Sequence, residues 1–288
     1  MASIEIGQNS LPGPESGVSS RTNGTDVVTP PMRRWRTEEP PMISETSWKR
    51  LLANDIPFIA IPGFASADEC ARLVDQANRI GFEPYDQVLP PIDRVGITVF
   101  EYDKTSMSGY FQDVGKARAV QQEIFSASFD PLQRFMERIF EPAGGKVGIT
   151  VDPQYGPYHA GNVRRIEDGT LLHIDFAPAE EPSWHVAHVH NQLSWNVYLE
   201  LDRAGAGRTR LYEKQWIPAD EKFKIPRSYG YRRELLGSAH QVTFQPTLGD
   251  VYIFNTRNYH EVTPSTGRRT TFTSAIGIFD DNVAGLWS

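Results

Sequence analysis

The sequence predicts an α+β fold in which helices come first and a β-rich half follows, and three features carry that reading. Apolar residues recur at helical spacing through much of residues 42–145. From about Val147 short β-branched and aromatic runs alternate with turn signals, a texture suggesting a sandwich or barrel over alternating βα units. Residues 1–41 are rich in Ser, Gly, Thr and Pro and show no periodicity, which marks a disordered or loosely draped arm, with a lid over a site as its functional alternative. The expected division is thus an arm, 1–41, and one domain, 42–288, made of helix-rich support (42–145) and a β core (146–288).

Taken in order, "SETSWKRLLAND" reads as a short helix and "IPFIAIPGF" (56–64) as a buried strand. The next helix opens with capping-box spacing at Ser66 and Glu69, places Ala71, Leu73, Val74, Ala77 and Ile80 on one face, and stops at Gly81. "RVGITVFEYD" (94–103) reads as a strand, followed by a helix around 116–127. A further helix has Asp130 as N-cap and Pro131 at its first position and should bury Leu132, Phe135, Met136, Ile139 and Phe140. The strands expected beyond it are "KVGITV", "NVRRI", "TLLHIDF", "HVHNQLSWNVYLEL", "RTRLYE", "HQVTFQP", "DVYIFN", "YHEVTP" and "RTTFTSAIGIF".

Composition narrows the function. The 288 residues are 39% apolar and include 6 Trp, 11 Tyr and 15 Phe, enough for a sizeable core. A formal charge of -7 argues against broad binding to nucleic acid or anionic membranes, which need clustered positive charge. "MRRWR" (32–36) is a local exception, read as a solvated tail segment. Cys70 is the single cysteine, so no intrachain disulfide can form, and it reads as a small apolar filler. No secretory h-region opens the sequence and no apolar run reaches bilayer length, so a cytoplasmic protein is expected.

The stretch "GTLLHIDFAPAEEP" holds a histidine two residues before an aspartate. On a strand His173 and Asp175 share a face while Ile174 points away, so an imidazole and a carboxylate converge as half a metal site. A His–Asp hydrogen-bonded pair on a wet face explains the same residues. Near the other end, "PTLGDVYIFNTRNYHEVTPSTGRRTTFTSAIG" runs through a turn at Gly249-Asp250, a strand, His260, a second turn, two arginines and a final strand.

Together these stretches resemble the non-haem iron(II), 2-oxoglutarate-dependent oxygenases of the prolyl-hydroxylase-like branch. The matching elements are His173-Ile174-Asp175, Tyr198-Leu199-Glu200, Gly249-Asp250, His260 and Arg269. The resemblance spans roughly residues 145–280, and Ile166 stands where the family usually has Tyr. It implies a double-stranded β-helix (jelly-roll) core buttressed by the N-terminal helices. It also implies a facial triad of His173, Asp175 and His260 on Fe(II), leaving three positions for 2-oxoglutarate and dioxygen, with ascorbate as an auxiliary reductant. Arg269 would seat the distal carboxylate of 2-oxoglutarate through its planar fork, while Arg268 points to the other face. Tyr198 and Asn196 on one strand, and Thr271 and Thr273 on the other, complete that co-substrate site.

Phe176, Trp184, His185, His188 and Arg164 flank the ligand strands and are the substrate-pocket candidates. Related halogenases carry a small residue at the position of Asp175, so a carboxylate there favours hydroxylation, with desaturation or ring closure starting the same way. The expected substrate is a small molecule, such as an amino-acid derivative or secondary metabolite, and a homodimer is compatible with the sequence. Two other readings remain. His188 and His190 could open a cupin metal motif, but Ser194 and Trp195 occupy the place of its glutamate. A peptidyl hydroxylase would need an open groove beside the metal.

Overall fold

Where the sequence alternates apolar and polar residues, the chain forms strands with one face on a helical layer and the other on a second sheet. The structure, a computed structural model, describes residues 35, 41–86, 88–102, 107–202, 207–265, 267–279 and 283–288. All of them belong to the unit spanning 34–288. Apart from Trp35 and Pro41, the N-terminal arm lies outside the described residues.

The helical layer is built as the caps and periodicity dictate. Helices α1 (Glu45–Leu52) and α2 (Ala67–Ile80) both open with capping boxes, from Ser44 and from Ser66 with Glu69. Helix α3 (Met107–Ser126) begins well before the expected 116, because Tyr110 and Val114 extend the buried face of Ala117, Gln121 and Ile124. In α4 (Pro131–Ile139) the Asp130 carboxylate accepts from the Leu132 and Gln133 amides at 2.9 and 3.0 Å. Two face assignments shift: Cys70, not Ala71, is buried on α2, and Phe140 lies past the end of α4 and is exposed.

The strands are β1 (Phe58–Ile61), β2 (Glu83–Pro84), β3 (Asp93–Val95), β4 (Val147–Ile149), β5 (Val151–Asp152), β6 (Gly156–Pro157) and β7 (Asn162–Arg165). They continue as β8 (Asn191–Leu201), β9 (Thr209–Gln215), β10 (Gln241–Phe244), β11 (Val251–Asn255), β12 (Asn258–Val262), β13 (Arg269–Ile278) and β14 (Ala284–Trp287). A nine-stranded sheet has the order β1-β11-β8-β13-β7-β3-β2, with β14 joining β13 and β4. A three-stranded sheet has the order β10-β9-β12. Pairing is antiparallel except between β14 and β4, so the fold is a mixed helical and antiparallel-sheet architecture.

Alternation sorts the large sheet's side chains. Leu193, Trp195, Val197 and Leu199 of β8, with Val251 and Ile253 of β11 and Phe272 and Ile276 of β13, pack under the helices in one core. The opposite face carries Tyr198, Tyr252 and Phe254, which meet Leu211 and Phe244 of the small sheet. Trp35 joins this second cluster, donating its backbone N–H to Glu213 at 3.1 Å and its indole N–H to the Asn54 carbonyl at 3.1 Å. That residue of "MRRWR" is therefore buried and not solvated; the others lie outside the described residues.

Two expected strands differ. After β3 the chain leaves the sheet and turns into a 3-10 helix at Val99–Glu101, because the Glu101 carboxylate captures the backbone and hydroxyl of Thr98 at 3.0 and 2.9 Å. "TLLHIDF" is extended but makes only one bridge, His173 to His260, before Ala177–Glu180 forms a single helical turn, α5.

Candidate metal and co-substrate site

Short backbone contacts bring the two ligand segments together. Thr170 N–H donates to the Val262 carbonyl at 2.9 Å, His173 and His260 exchange reciprocal backbone bonds at 2.9 Å, and Asp175 N–H reaches Thr256 O at 3.0 Å. Gly169 allows the approach: its φ is +77°, and a Cβ there would lie 2.5 Å from the Val262 carbonyl oxygen. The segment therefore lies along β12 with His173 beside His260 and Asp175 one pleat further on.

The imidazoles are held in the orientation and tautomer that ligation needs. Nδ1–H of His173 donates to the Leu171 carbonyl at 2.8 Å, and Nδ1–H of His260 to the Asn258 carbonyl at 2.9 Å. Each Nε2 is left with its lone pair facing Asp175. His173 Nε2 lies 3.9 Å from Asp175 Oδ1 and His260 Nε2 lies 3.3 Å from Oδ2, with ring centroids 4.2 Å apart. Ligand atoms from all three residues lie within 4.8 Å of one another, and among the described residues no other group of three His, Cys, Asp or Glu converges in this way.

The electrostatics suit a cation. Burial, with His260 alongside, lowers the His173 imidazole to about 4 and keeps it neutral. Burial alone would raise the Asp175 carboxyl, but its contacts with the His260 and His173 imidazoles and the nearby Arg164 charge outweigh that and hold it well below the usual range. Two neutral imidazoles and one carboxylate are the donor set of a facial ferrous site with open positions, so these residues fit iron(II).

Arg269 stands at the start of β13 and is 3% exposed. Its Nε donates to Gly207 O at 3.1 Å, and its Nη2 to the Tyr198 hydroxyl at 3.2 Å and the Thr209 hydroxyl at 3.4 Å. Nη1 has no hydrogen-bond partner among the described residues. Gly207 makes room for the side chain, since a Cβ there would sit 2.5 Å from Arg269 Cδ. Arg269, Tyr198, Asn196 and Thr271 line one cavity with His173, Asp175 and His260. Thr273 lines an adjoining cavity together with Asp175, Phe176 and Arg164. Arg268 points outward to Glu200 and Asp202, as alternation requires.

The pocket candidates separate. Arg164 and Phe176 reach the site. Trp184 does not: it is buried among Tyr110, Phe111 and Tyr158. His185 and His188 line a different cleft, where His185 stacks on Phe279 at 5.6 Å. Several lining residues were invisible in the sequence. Thr209 belongs to another strand, and Val99, Phe100 and Glu180 sit in segments whose local structure the tertiary fold sets. The one usable signal was Ile166, singled out in the resemblance, which lines the cavity shared by His173, Asp175, His260 and Arg269.

No protein-family model matches the sequence. Leucinostatins biosynthesis cluster protein S of Purpureocillium lilacinum is 33% identical over 202 residues, covering 67% of this chain and 82% of that protein. L-gamma-glutamyl-L-propargylglycine hydroxylase of Streptantibioticus cattleyicolor is 25% identical over 252 residues, covering 83% and 90%. An N-substituted L-amino acid dioxygenase from Burkholderia ambifaria superposes with a TM-score of 0.59 at 11% identity, covering 85% of this chain and 91% of that one. The same enzyme in complex with α-ketoglutarate gives 0.58.

The chain belongs to the non-haem iron(II)- and 2-oxoglutarate-dependent dioxygenases. Among the described residues no helix of this family member is long and apolar enough to cross a membrane.

Proposed function

We propose that this dioxygenase hydroxylates an unactivated C–H bond of a small molecule, such as an amino-acid derivative or secondary metabolite. His173, Asp175 and His260 are assigned as the iron ligands and Arg269 as the anchor of 2-oxoglutarate, on a double-stranded β-helix core within a single domain, 42–288. One observation carries the assignment: the three ligand atoms converge within 4.8 Å in the cavity that a buried arginine with a free Nη1 also lines. When bound, ferrous iron supplies the redox chemistry coupling 2-oxoglutarate decarboxylation to succinate with C–H oxidation.

The chain's own residues supply position and charge. The Leu171 and Asn258 carbonyls lock the imidazoles with Nε2 inward, and Asp175 contributes the anionic ligand. Arg269 is braced by Gly207, Tyr198 and Thr209, so its guanidinium is set before a dicarboxylate arrives. A relative that hydroxylates a γ-glutamyl amino acid, and a relative from a biosynthetic cluster, support a small amino-acid-derived substrate.

The test is formation of succinate from 2-oxoglutarate by anaerobically iron-loaded protein on admission of air. Succinate above the level of a His173→Ala control supports the reading. Equal levels in the two proteins would mean that the chain kept the fold and lost turnover.

A further inference from the structure

The second cavity, beside the metal triad and away from Arg269, has a charge pattern of its own. Its lining includes Arg164, Asp175, Glu180 and Glu181, together with apolar Val99, Phe100, Leu193, Ala275 and Trp287. Arg164 and Asp175 also line the co-substrate cavity, so the two spaces meet at this pair.

Arg164 projects from β7, next to β13 in the large sheet. Its Nε donates to the Tyr85 hydroxyl at 3.1 Å, and its guanidinium carbon lies 5.7 Å from the centre of that ring. Among the described residues it makes no ion pair, and neither Nη group has an acceptor. Arg165, the next residue on the same strand, instead bonds Asn78 and Glu200 through Nη2 and the Thr270 hydroxyl through Nε. A sheltered guanidinium fixed at one edge, with both outer nitrogens free, is a site for a bidentate anion. Asp175 does not fill that role, because it is turned to the two imidazoles.

Glu180 fills the complementary role. Its Oε2 accepts from Phe176 N–H at 3.4 Å and its Oε1 lies 4.0 Å from Lys224 Nζ, both long contacts that leave acceptor capacity toward the cavity. Burial and the Asp175 charge push the Glu180 carboxyl up to about 8, so it is Asp175 in this cavity that disfavours a second carboxylate on a bound molecule, whereas a Glu180 oxygen accepts an N–H.

We propose that the substrate is a monocarboxylate with an apolar side chain and an N–H group, that Arg164 binds its carboxylate, and that Glu180 receives its N–H. The structure thereby assigns specificity to two residues outside the metal and 2-oxoglutarate machinery. The inference rests on the proposed function only in taking this cavity as the substrate's. It gives Arg164 and Arg269 separate cargoes, the substrate carboxylate and 2-oxoglutarate.

The test compares binding without turnover. Zinc replaces iron, 2-oxoglutarate is present, and titration calorimetry reads the affinity of matched probes. These are free L-leucine and N-acetyl-L-leucine, each with its C-terminal primary amide. At least one acid is expected to bind about tenfold or more tightly than its amide, and Arg164→Gln is expected to erase that ratio. Arg164→Lys should restore only part of it, since an ammonium lacks the fork. Glu180→Gln should weaken probes with a free amine while leaving the acid-to-amide ratio in place.

Three results would overturn the proposal: no acid binds better than its amide, the preference survives Arg164→Gln, or Arg164→Gln weakens 2-oxoglutarate as much as the acid. Circular dichroism of each variant separates misfolding from lost binding. Succinate formation by the iron-loaded protein reports separately on the proposed function, so either reading can fail alone.

Discussion

Strand β8 shows two kinds of surface on its two faces. Leu193, Trp195, Val197 and Leu199 face the helices in a dry, tightly packed layer, where the Trp195 ring stacks on Phe135 at 3.9 Å and 3°. Ser194, Asn196 and Tyr198, one residue out of phase, face the cavity of the metal triad and Arg269. Strand β13 repeats the division, with Phe272 and Ile276 on one side and Arg269 and Thr271 on the other. The pleat separates stability from chemistry along a single chain segment, so a substitution's phenotype should depend on residue parity more than on distance from the site.

The sharpest way to break that comparison is Trp195→Ala. Removing a fully buried indole beside Phe135 and Phe272 should cost about 3–5 kcal/mol of stability, read as a lower midpoint in chemical denaturation. The 2-oxoglutarate affinity of the remaining folded protein should stay near wild type. If affinity falls in proportion to stability, the faces are not independent.

The dry side also predicts an acid response. Burial lowers His159 to about 4, and its Nε2 contacts Asn162 Oδ1 at 3.2 Å. With a folded value below the unfolded 6.5, the neutral ring's contribution is present above pH 6.5 and is lost as pH falls through about 4. That amounts to on the order of 3 kcal/mol. The stability gap between wild type and His159→Gln should therefore narrow from pH 7 to pH 4.5; a constant gap would show that His159 does not titrate across this range.

On the wet side Arg269→Gln should weaken 2-oxoglutarate by about 1.5–3 kcal/mol, roughly ten- to a hundredfold, with the melting temperature little changed. The smallest expected effect is at Thr271→Val, which removes one hydroxyl from the co-substrate cavity. It should raise the KM for 2-oxoglutarate about two- to fivefold, equivalent to roughly 0.5–1 kcal/mol. An equal effect on denaturation would assign Thr271 to packing.

Much of this arrangement was legible in order and spacing. Alternation alone put Arg269 and Thr271 on one face of a strand and Arg268 on the other, because a pleat has a period of two whatever surrounds it. The capping box at Ser66 and Glu69 located α2 for the same reason: the partner of the cap lies three residues away. Readings failed where the deciding partner is distant in sequence. Trp184 and His185 flank a ligand strand in sequence, yet the first belongs to an aromatic cluster with Tyr110 and the second stacks on Phe279. The stretch read as a strand over 94–103 leaves the sheet after β3 and forms a 3-10 turn at Val99–Glu101, because the Glu101 carboxylate binds Thr98.

What the sequence by itself determined is which side chains share a face and which residue types could ligate, since both follow from local backbone geometry and side-chain chemistry. Only the tertiary structure decided that His173 and His260 exchange backbone bonds, that Gly207 leaves room for Arg269, and that Arg164 bonds Tyr85 through Nε alone among the described residues. Those contacts join residues tens of positions apart, and no local preference specifies them. They arise when two sheets close over one cavity and every buried polar group must find its partner there.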